Sequence, residues 1–337
     1  MGVTEKLNEE LNYLTGFKHT AITINSTARN GGDFLILPRR HTSDTAVAGF
    51  LINDHQLLLE TLHFFDGKVD TIFVDIEHKK RINLYRVAEQ EVRQSSLVTL
   101  KPNDMAVEAC DTLIRHQFND HLADKNIVVL GTGNLASKIT LRLSERQANI
   151  YMLGRSKEKE QTIIKGLNTF TPAYSPDIRS FDELIRNFHT ADAIISFISG
   201  QFQEEEKLIS FIDRHTFLVD GGINNFSGRF IEQLTAQGVT ITRLDVRIGL
   251  PYQFLATDPY TTEFFNNVYG KSVIDNVCIV SGGFIGEKGS VIVDNIKRPG
   301  QIIGMADGMG GVKRREDLTE SDKQSIQTIQ ASFSVGM

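Results

Sequence analysis

The sequence predicts an α/β protein of two domains, the second a doubly wound parallel sheet. Three observations carry this. From residue 104 onward, apolar runs alternate with amphipathic segments; the run NIVVL at 126–130 is almost entirely apolar; and it ends in a glycine turn, GTGNLA at 131–136, that opens a helical pattern. A strand without polar alternation suits a sheet covered on both faces, and strands alternating with helices suit parallel β-α-β units. The expected domains are an α/β substrate domain (residues 1–104), a nucleotide-binding domain (105–250) and an extension (251–337) that packs back on the cleft or the substrate domain or forms a homodimer contact.

Element by element, residues 4–15 have helical spacing and stop at Gly16. TAITIN and DFLILP read as strands, SDTAVAGFLINDHQLLLETLHFF as one helix closed by Gly67, and VDTIFVDI as a strand. NDMAVEACDTLIRHQF is a helix leading into NIVVLG. After the turn and its helix come the strand NIYMLG and three helix–strand pairs: FDELIRNFHT with AIISFIS, EEEKLISFIDR with FLVDGG, and IEQLTAQG with TITRLDV. Beyond residue 250 the pattern weakens to a strand-like SVIDNVCIVSG and a glycine-rich IIGMADGMGG, read as a loop and candidate lid.

Composition narrows the function classes. At 337 residues the chain can bury two cores, and 40% hydrophobic with 23% charged residues is ordinary for a globular protein. A formal charge of −6 gives no general attraction for nucleic acid or an anionic membrane, and neither is expected as a partner. The two cysteines, Cys110 and Cys278, lack zinc or disulfide spacing and read as buried thiols; the nine histidines show no ligand spacing, so no metal is expected. The amino terminus is polar and acidic, no run approaches membrane length, and a cytoplasmic protein is the expectation.

The turn Gly131, Thr132, Gly133, Asn134, Leu135, Ala136 has the G-x-G-x-x-A spacing that lets backbone N–H groups approach a pyrophosphate, with Ala136 still permitting close helix–strand packing. An NAD site usually carries an acid at the end of the second strand; here that strand ends in Gly154, Arg155, Ser156 and Lys157. A guanidinium and a hydroxyl there suit a 2′-phosphate, favouring NADP with NAD as the alternative, although the same residues make an ordinary basic helix start. Ser199 and Gly221, at two later strand ends, leave room for a nicotinamide. Arg39, Arg40, His41, Thr42 and Ser43 precede the long predicted helix, where basic groups and hydroxyls can hold a carboxylate or phosphate, or simply cap the helix.

This order of an α/β domain, a connecting helix and a G-x-G-x-x-A (Rossmann) domain resembles the shikimate dehydrogenase superfamily, which includes methylenetetrahydrofolate dehydrogenases and glutamyl-tRNA reductases. Val74-Asp75-Ile76-Glu77-His78-Lys79 has the shape of the family's V-T-x-P-x-K motif without its threonine and proline. Pro102-Asn103-Asp104 resembles its N-T-D, and Gly249-Leu250-Pro251-Tyr252-Gln253 resembles the segment bearing a substrate-binding glutamine. GRS at 154–156 and VDGGIN at 219–224 are similar to methylenetetrahydrofolate dehydrogenases. The resemblance implies Lys79 and Asp104 as the catalytic pair, with Thr42, Ser43 and Gln253 on the substrate. It also implies hydride transfer between NADP and a small polar, carboxylate-bearing metabolite. The alternative is a catalytically silent nucleotide-binding sensor or partner subunit.

Overall fold

The computed structural model describes residues 2–27, 32–77, 81–187 and 190–333. The chain divides into two compact units, Met1–Gln253 and Phe254–Met337.

The first unit opens with α1 (Val3–Leu14), β1 (His19–Asn25), β2 (Phe34–His41), β3 (Thr45–Ile52), α2 (His55–Phe65), β4 (Thr71–Asp75), α3 (Leu84–Glu91) and β5 (Ser96–Leu100). Then α4 (Pro102–Gln117) leads to β6 (Asn126–Leu130), α5 (Asn134–Glu145), β7 (Asn149–Leu153), α6 (Lys157–Asn168), β8 (Arg179–Ser180) and α7 (Phe181–Asn187). The series continues through β9 (Ala193–Ser196), α8 (Glu206–Ile209), β10 (Phe217–Asp220), α9 (Gly228–Ala236) and β11 (Thr240–Arg243), followed by a 3-10 turn (Val246–Gly249) and α10 (Leu250–Phe254).

The first sheet has the order β2-β3-β1-β4-β5, parallel except for β2. Ile22, Ile24, Ala48, Phe50, Ile72 and Val74 pack in one core with Leu7 of α1 and Leu58 and Leu62 of α2. The second sheet is wholly parallel, ordered β8-β7-β6-β9-β10-β11. Counted from its first strand this is 3-2-1-4-5-6, the dinucleotide-binding order, with the crevice expected where β6 meets β9. Its strands bury both faces: Ile127, Val129, Ile150 and Met152 pack with helix residues such as Ile114 and Ile139, while Val128, Leu130 and Leu153 pack with Phe181 and Phe230. The uninterrupted apolar strands of the sequence have this cause.

One sequence expectation is corrected in this unit, and two elements lie in a stretch to which the sequence reading assigned none. The segment 43–65 is not one helix: Thr45–Ile52 is a strand, and the helix begins only at His55. TAVAGFLI is nearly all buried, which leaves no polar face for an amphipathic helix, and the start is set by Asp54, whose side chain accepts from Leu57 N–H. The chain between VDTIFVDI and residue 102 also holds a helix and a strand of its own, α3, capped by Asn83, and β5.

The second unit contains α11 (Pro259–Glu263), a π-type turn (Phe264–Val268), β12 (Lys271–Ile274), β13 (Val277–Ser281), β14 (Val291–Val293), β15 (Ile302–Met305), a 3-10 turn (Arg315–Asp317) and α12 (Glu320–Phe333). Its strands form a sheet ordered β12-β13-β14-β15, with Ile279, Val291, Val293 and Met305 packed with Ile329 of α12. SVIDNVCIVSG is a hairpin rather than one strand: Asp275 and Asn276 take φ of +47° and +64°, the left-handed pair a tight two-residue turn requires. The glycine-rich segment is a built turn. The Asp307 carboxylate accepts from Met309 N–H at 2.7 Å and Gly311 N–H at 3.0 Å, bonds that hold its pKa below the usual range.

Candidate nucleotide and substrate site

Gly131 leaves β6 with φ +122°, and a Cβ placed there would lie 2.7 Å from the carbonyl oxygen of Phe197, just past β9. Its N–H donates to Leu153 O at 2.8 Å, so this glycine joins β6, β7 and β9 and tolerates no side chain. Gly133 differs. It is the N-cap of α5, is exposed, carries no side-chain cap, and a Cβ there would meet nothing within 4 Å. Open space therefore faces the first N–H groups of α5, the groups that can hold a phosphate. Ala136 is fully buried, and its Cβ stands 3.4 Å from where a Gly131 Cβ would sit, so a larger residue would part helix from strand. Thr132 packs toward β7, its Cγ2 only 2.6 Å from a Cβ built at Gly154; Asn134 is exposed and Leu135 half-buried.

At the end of β7, Arg155 is exposed and Ser156 caps α6 by accepting from Lys159 N–H at 3.3 Å. Lys157, exposed, donates to Glu160 at 2.8 Å and Ser180 at 2.5 Å and pairs with Asp182. Glu160, fully buried, also accepts from Gly154 N–H at 2.9 Å. Of the turn residues 155–157, Lys157 has its charge engaged by Glu160 and Asp182, whereas exposed Arg155 has no ion pair among the described residues.

The ends of β9 and β10 are tied by Asn225, fully buried. Its amide donates to Ile198 O and Gly200 O at 3.1 and 2.8 Å, and its oxygen accepts from Ser196 at 2.9 Å. Gly221 lies under the Phe197 ring, 2.4 Å from a would-be Cβ, and Ser199 is exposed on the neighbouring bend. A depression of about 550 Å³ opens beside them, lined by Gly200, Gln201, Ile223, Asn224, Phe226, Ser227 and Gly228.

Across from this crevice, the carboxyl ends of β1 and β4 gather polar groups. Asp75 is buried and accepts from the N–H and hydroxyl of Ser26 at 3.2 and 3.3 Å and from Glu77 N–H at 2.8 Å. Glu77 accepts from Asn103 N–H at 3.0 Å at the start of α4, and Asn103 donates to Asn134, the first residue of α5, at 3.4 Å. Below this link α4 and α5 are joined by a charge ladder: Asp104 with Lys138, Glu108 with Arg142, and Asp111 with Arg146, the last bidentate at 2.8 and 2.7 Å. Lys101 joins Asp104 as well; burial pushes that carboxyl up, but the two lysines outweigh it and hold it below the usual carboxylate range.

Residues 112–219 match the family model of shikimate/quinate 5-dehydrogenases. Over these residues the chain is shikimate dehydrogenase-like. No curated protein matches it. Among solved structures, a shikimate dehydrogenase in complex with NADP+ is 13% identical over 71% of this chain and 90% of that one, with a TM-score of 0.43. L-tryptophan dehydrogenase from Nostoc punctiforme is 10% identical over 70% and 74%, with a TM-score of 0.42. The A chain of dipicolinate synthase from Bacillus subtilis is 14% identical over 69% and 90%, with a TM-score of 0.36.

The expected substrate residues, all outside the matched segment, scatter. Lys79, with His78, lies outside the described residues. Asp104 is the first rung of the α4–α5 ladder, so its described partners are Lys101 and Lys138. Thr42 and Ser43 do not start a helix. They form the β2–β3 turn, closed by Thr42 N–H to Thr45 O at 2.9 Å, beside the amino end of β1, where His19 N–H donates to Asp44 O. That is the end of the sheet opposite Ser26 and Asp75. Gln253 is buried at 8% exposure, and neither amide atom has a hydrogen-bond partner among the described residues. Sequence reasoning passed over Ser26 and gave no role to Asp75, Glu77 and Asn103, which it met only inside motifs; the signal was polar residues at or just past the carboxyl ends of two buried strands, where ligands bind.

Cys110 is fully buried, and burial pushes its thiol far up, so it is no nucleophile; Cys278 is only partly buried. Among the described residues no group of three or more His, Cys, Asp or Glu could hold a metal, and no helix is long and apolar enough to cross a membrane.

Proposed function

We propose that this chain is an NADP-dependent oxidoreductase transferring a hydride to or from a small polar, carboxylate-bearing metabolite. The observation that carries the reading is the pair of features at the ends of β6 and β7: open space at Gly133 before uncapped helix amides, and exposed Arg155 where an acid would select NAD. In this reading the pyrophosphate lies on residues 131–136, Arg155 and Ser156 take the 2′-phosphate, and the nicotinamide faces Ser199 and Gly221. Substrate lies against Ser26, Asp75 and Asn103. Lys79, two residues beyond Glu77 in the chain, moves the proton that accompanies the hydride, because a lysine whose pKa its surroundings lower can cycle between charge states. Asp104 acts by holding Lys101 and Lys138 at the cleft floor. The unpartnered amide of Gln253 is a further contact for a polar substrate, since a buried amide without a bond is costly.

The engagement of Asp104 by two lysines favours a second reading, a silent member that binds the nucleotide without turnover. The test is a titration of NADPH and NADH followed by a screen for oxidation or reduction with carboxylate and hydroxy-acid metabolites. NADPH should bind more tightly. Arg155→Ala should weaken NADPH by about 1.5–3 kcal/mol, as for a hydrogen bond to a charged group, and leave NADH unchanged. Equal losses remove Arg155 from the 2′-phosphate; binding without any turnover leaves the sensor.

A further inference from the structure

Arg39 and Arg40 are neighbours on β2 and point to opposite faces of the sheet. Arg39 forks onto Glu10 of α1, at 3.0 Å, and lies over the Tyr13 ring, 4.8 Å from its centre. Arg40 turns inward at 7% exposure. Its guanidinium crosses β3 at Gly49, where a Cβ would stand 3.3 Å from Nη2, and reaches β1, donating to Thr23 Oγ1 at 2.9 Å. Its remaining described contact is the Met105 sulfur at 3.9 Å, and Nε has no acceptor among the described residues. A guanidinium carries five N–H donors, so most of this fork is unused. The described salt bridges include none to Arg40, and burial alone drives its pKa down, with no carboxylate offsetting it. The undescribed residues contain no Asp or Glu.

An arginine buried without an anion is unfavourable, and such groups are normally paired. Here the pairing place is open. Arg40 lines a cavity of about 570 Å³ with Leu37, Pro38, Arg243, Leu244, Asp245, Val246 and Arg247. Arg243 and Arg247 bring two more cations from the end of β11; the one acid, Asp245, is taken up by Arg247 at 2.8–2.9 Å. The cavity thus has buried Arg40 at its floor, an apolar wall of Leu37, Pro38, Leu244 and Val246, and a basic rim.

We propose that this cavity is a binding site for a small molecule bearing a carboxylate or phosphate, whose anionic group is held by Arg40 with Arg243 at the rim. The apolar wall takes the carbon part of the ligand, and the anion supplies the counter-charge that Arg40 lacks. Thr23 keeps the guanidinium aimed, and Gly49 provides its path. The site is separate from the glycine turn and Arg155, so it does not rest on the cofactor reading.

The test uses the full chain without cofactor, with inorganic phosphate and malonate as probes against sodium chloride at equal ionic strength, read by calorimetric titration and thermal melting. The parent should bind one equivalent of one probe and melt higher in it; which probe acts separates phosphate from carboxylate. Arg40→Met should lose about ten- to a hundred-fold in affinity, the loss expected for a charge-assisted bond, and should melt no lower than the parent in the anion-free buffer. Arg155→Ala should keep the parental response. A parent that responds no more than to chloride, an Arg40→Met variant that keeps the response, or an Arg155→Ala variant that loses it overturns the site. If Arg40→Met does not fold, exposed Arg243→Gln decides: weaker binding supports the site and unchanged binding overturns it.

Discussion

At the carboxyl end of the second sheet, Gly131 and Gly133 offer backbone and little else, Glu160 is drawn inside to hold Gly154 N–H, and Asp220 at the end of β10 accepts from Gly222 N–H and Asn225 N–H. At the carboxyl end of the substrate sheet the reverse holds. Asp75, Glu77 and Asp104 stand together, each met by N–H groups, a hydroxyl or lysines. The two ends touch through Asn103 and Asn134. An end whose acids are taken up by backbone N–H groups leaves helix amides free for an anion; an end crowded with held acids keeps lysines charged or lets them share protons. On the proposed function, hydride carrier and proton carrier would stand on separate electrostatic ground.

The largest expected effect separates the two ends. Lys79→Ala should slow turnover by about 10²–10⁴-fold, the usual scale of general acid–base catalysis, and leave NADPH affinity nearly unchanged. Gly133→Val should do the opposite, folding as judged by circular dichroism but losing cofactor binding, because a branched side chain would fill the space before α5. A Lys79→Ala enzyme at parental rate, or a Gly133→Val protein of parental affinity, collapses the division of labour.

A smaller effect distinguishes the two glycines of one turn. Gly131→Ala puts a side chain at φ +122° and against Phe197 O, and should cost about 1–3 kcal/mol of stability in backbone strain alone, measured by denaturant unfolding. Gly133→Ala, in open space, should leave the unfolding midpoint near the parent's. Equal losses would mean that both glycines serve the fold.

The nucleotide half could be read in the sequence because its strands are buried on both faces, so the apolar runs mark themselves, and because the fingerprint lies within six consecutive residues. The substrate half resisted for two physical reasons. TAVAGFLI is buried on nearly every residue and joins a helix after only Asn53 and Asp54, so one apolar stretch spans two elements. Its polar groups also meet across long separations: Ser26 with Asp75, Glu77 with Asn103, Thr23 with Arg40. No local spacing announces such pairs. The α4–α5 ladder is the exception, since acids at 104, 108 and 111 and bases at 138, 142 and 146 recur at helical intervals. Arg40 was visible only as one of several basic residues; its burial comes from the strand placing alternate side chains on opposite faces.

The smallest effect tests whether Asp104 belongs to the ladder or to the chemistry. Its folded pKa is depressed, the lysines outweighing burial, so the pair's contribution is present above the unfolded value of about 3.9 and is lost as pH falls through the folded value. Asp104→Asn should therefore be less stable than the parent by about 1 kcal/mol at neutral pH, the scale of a partly exposed ion pair. The gap should close as the pH is taken below that of ordinary carboxylates, because the parent then loses the same charge. Lys138→Met in the Asp104→Asn background should add less than it does alone, since both changes remove one contact. Turnover of Asp104→Asn should fall far less than that of Lys79→Ala. A stability gap that stays constant with pH, joined to a rate loss as large as the lysine variant's, would move Asp104 from the ladder into direct contact with the reacting proton.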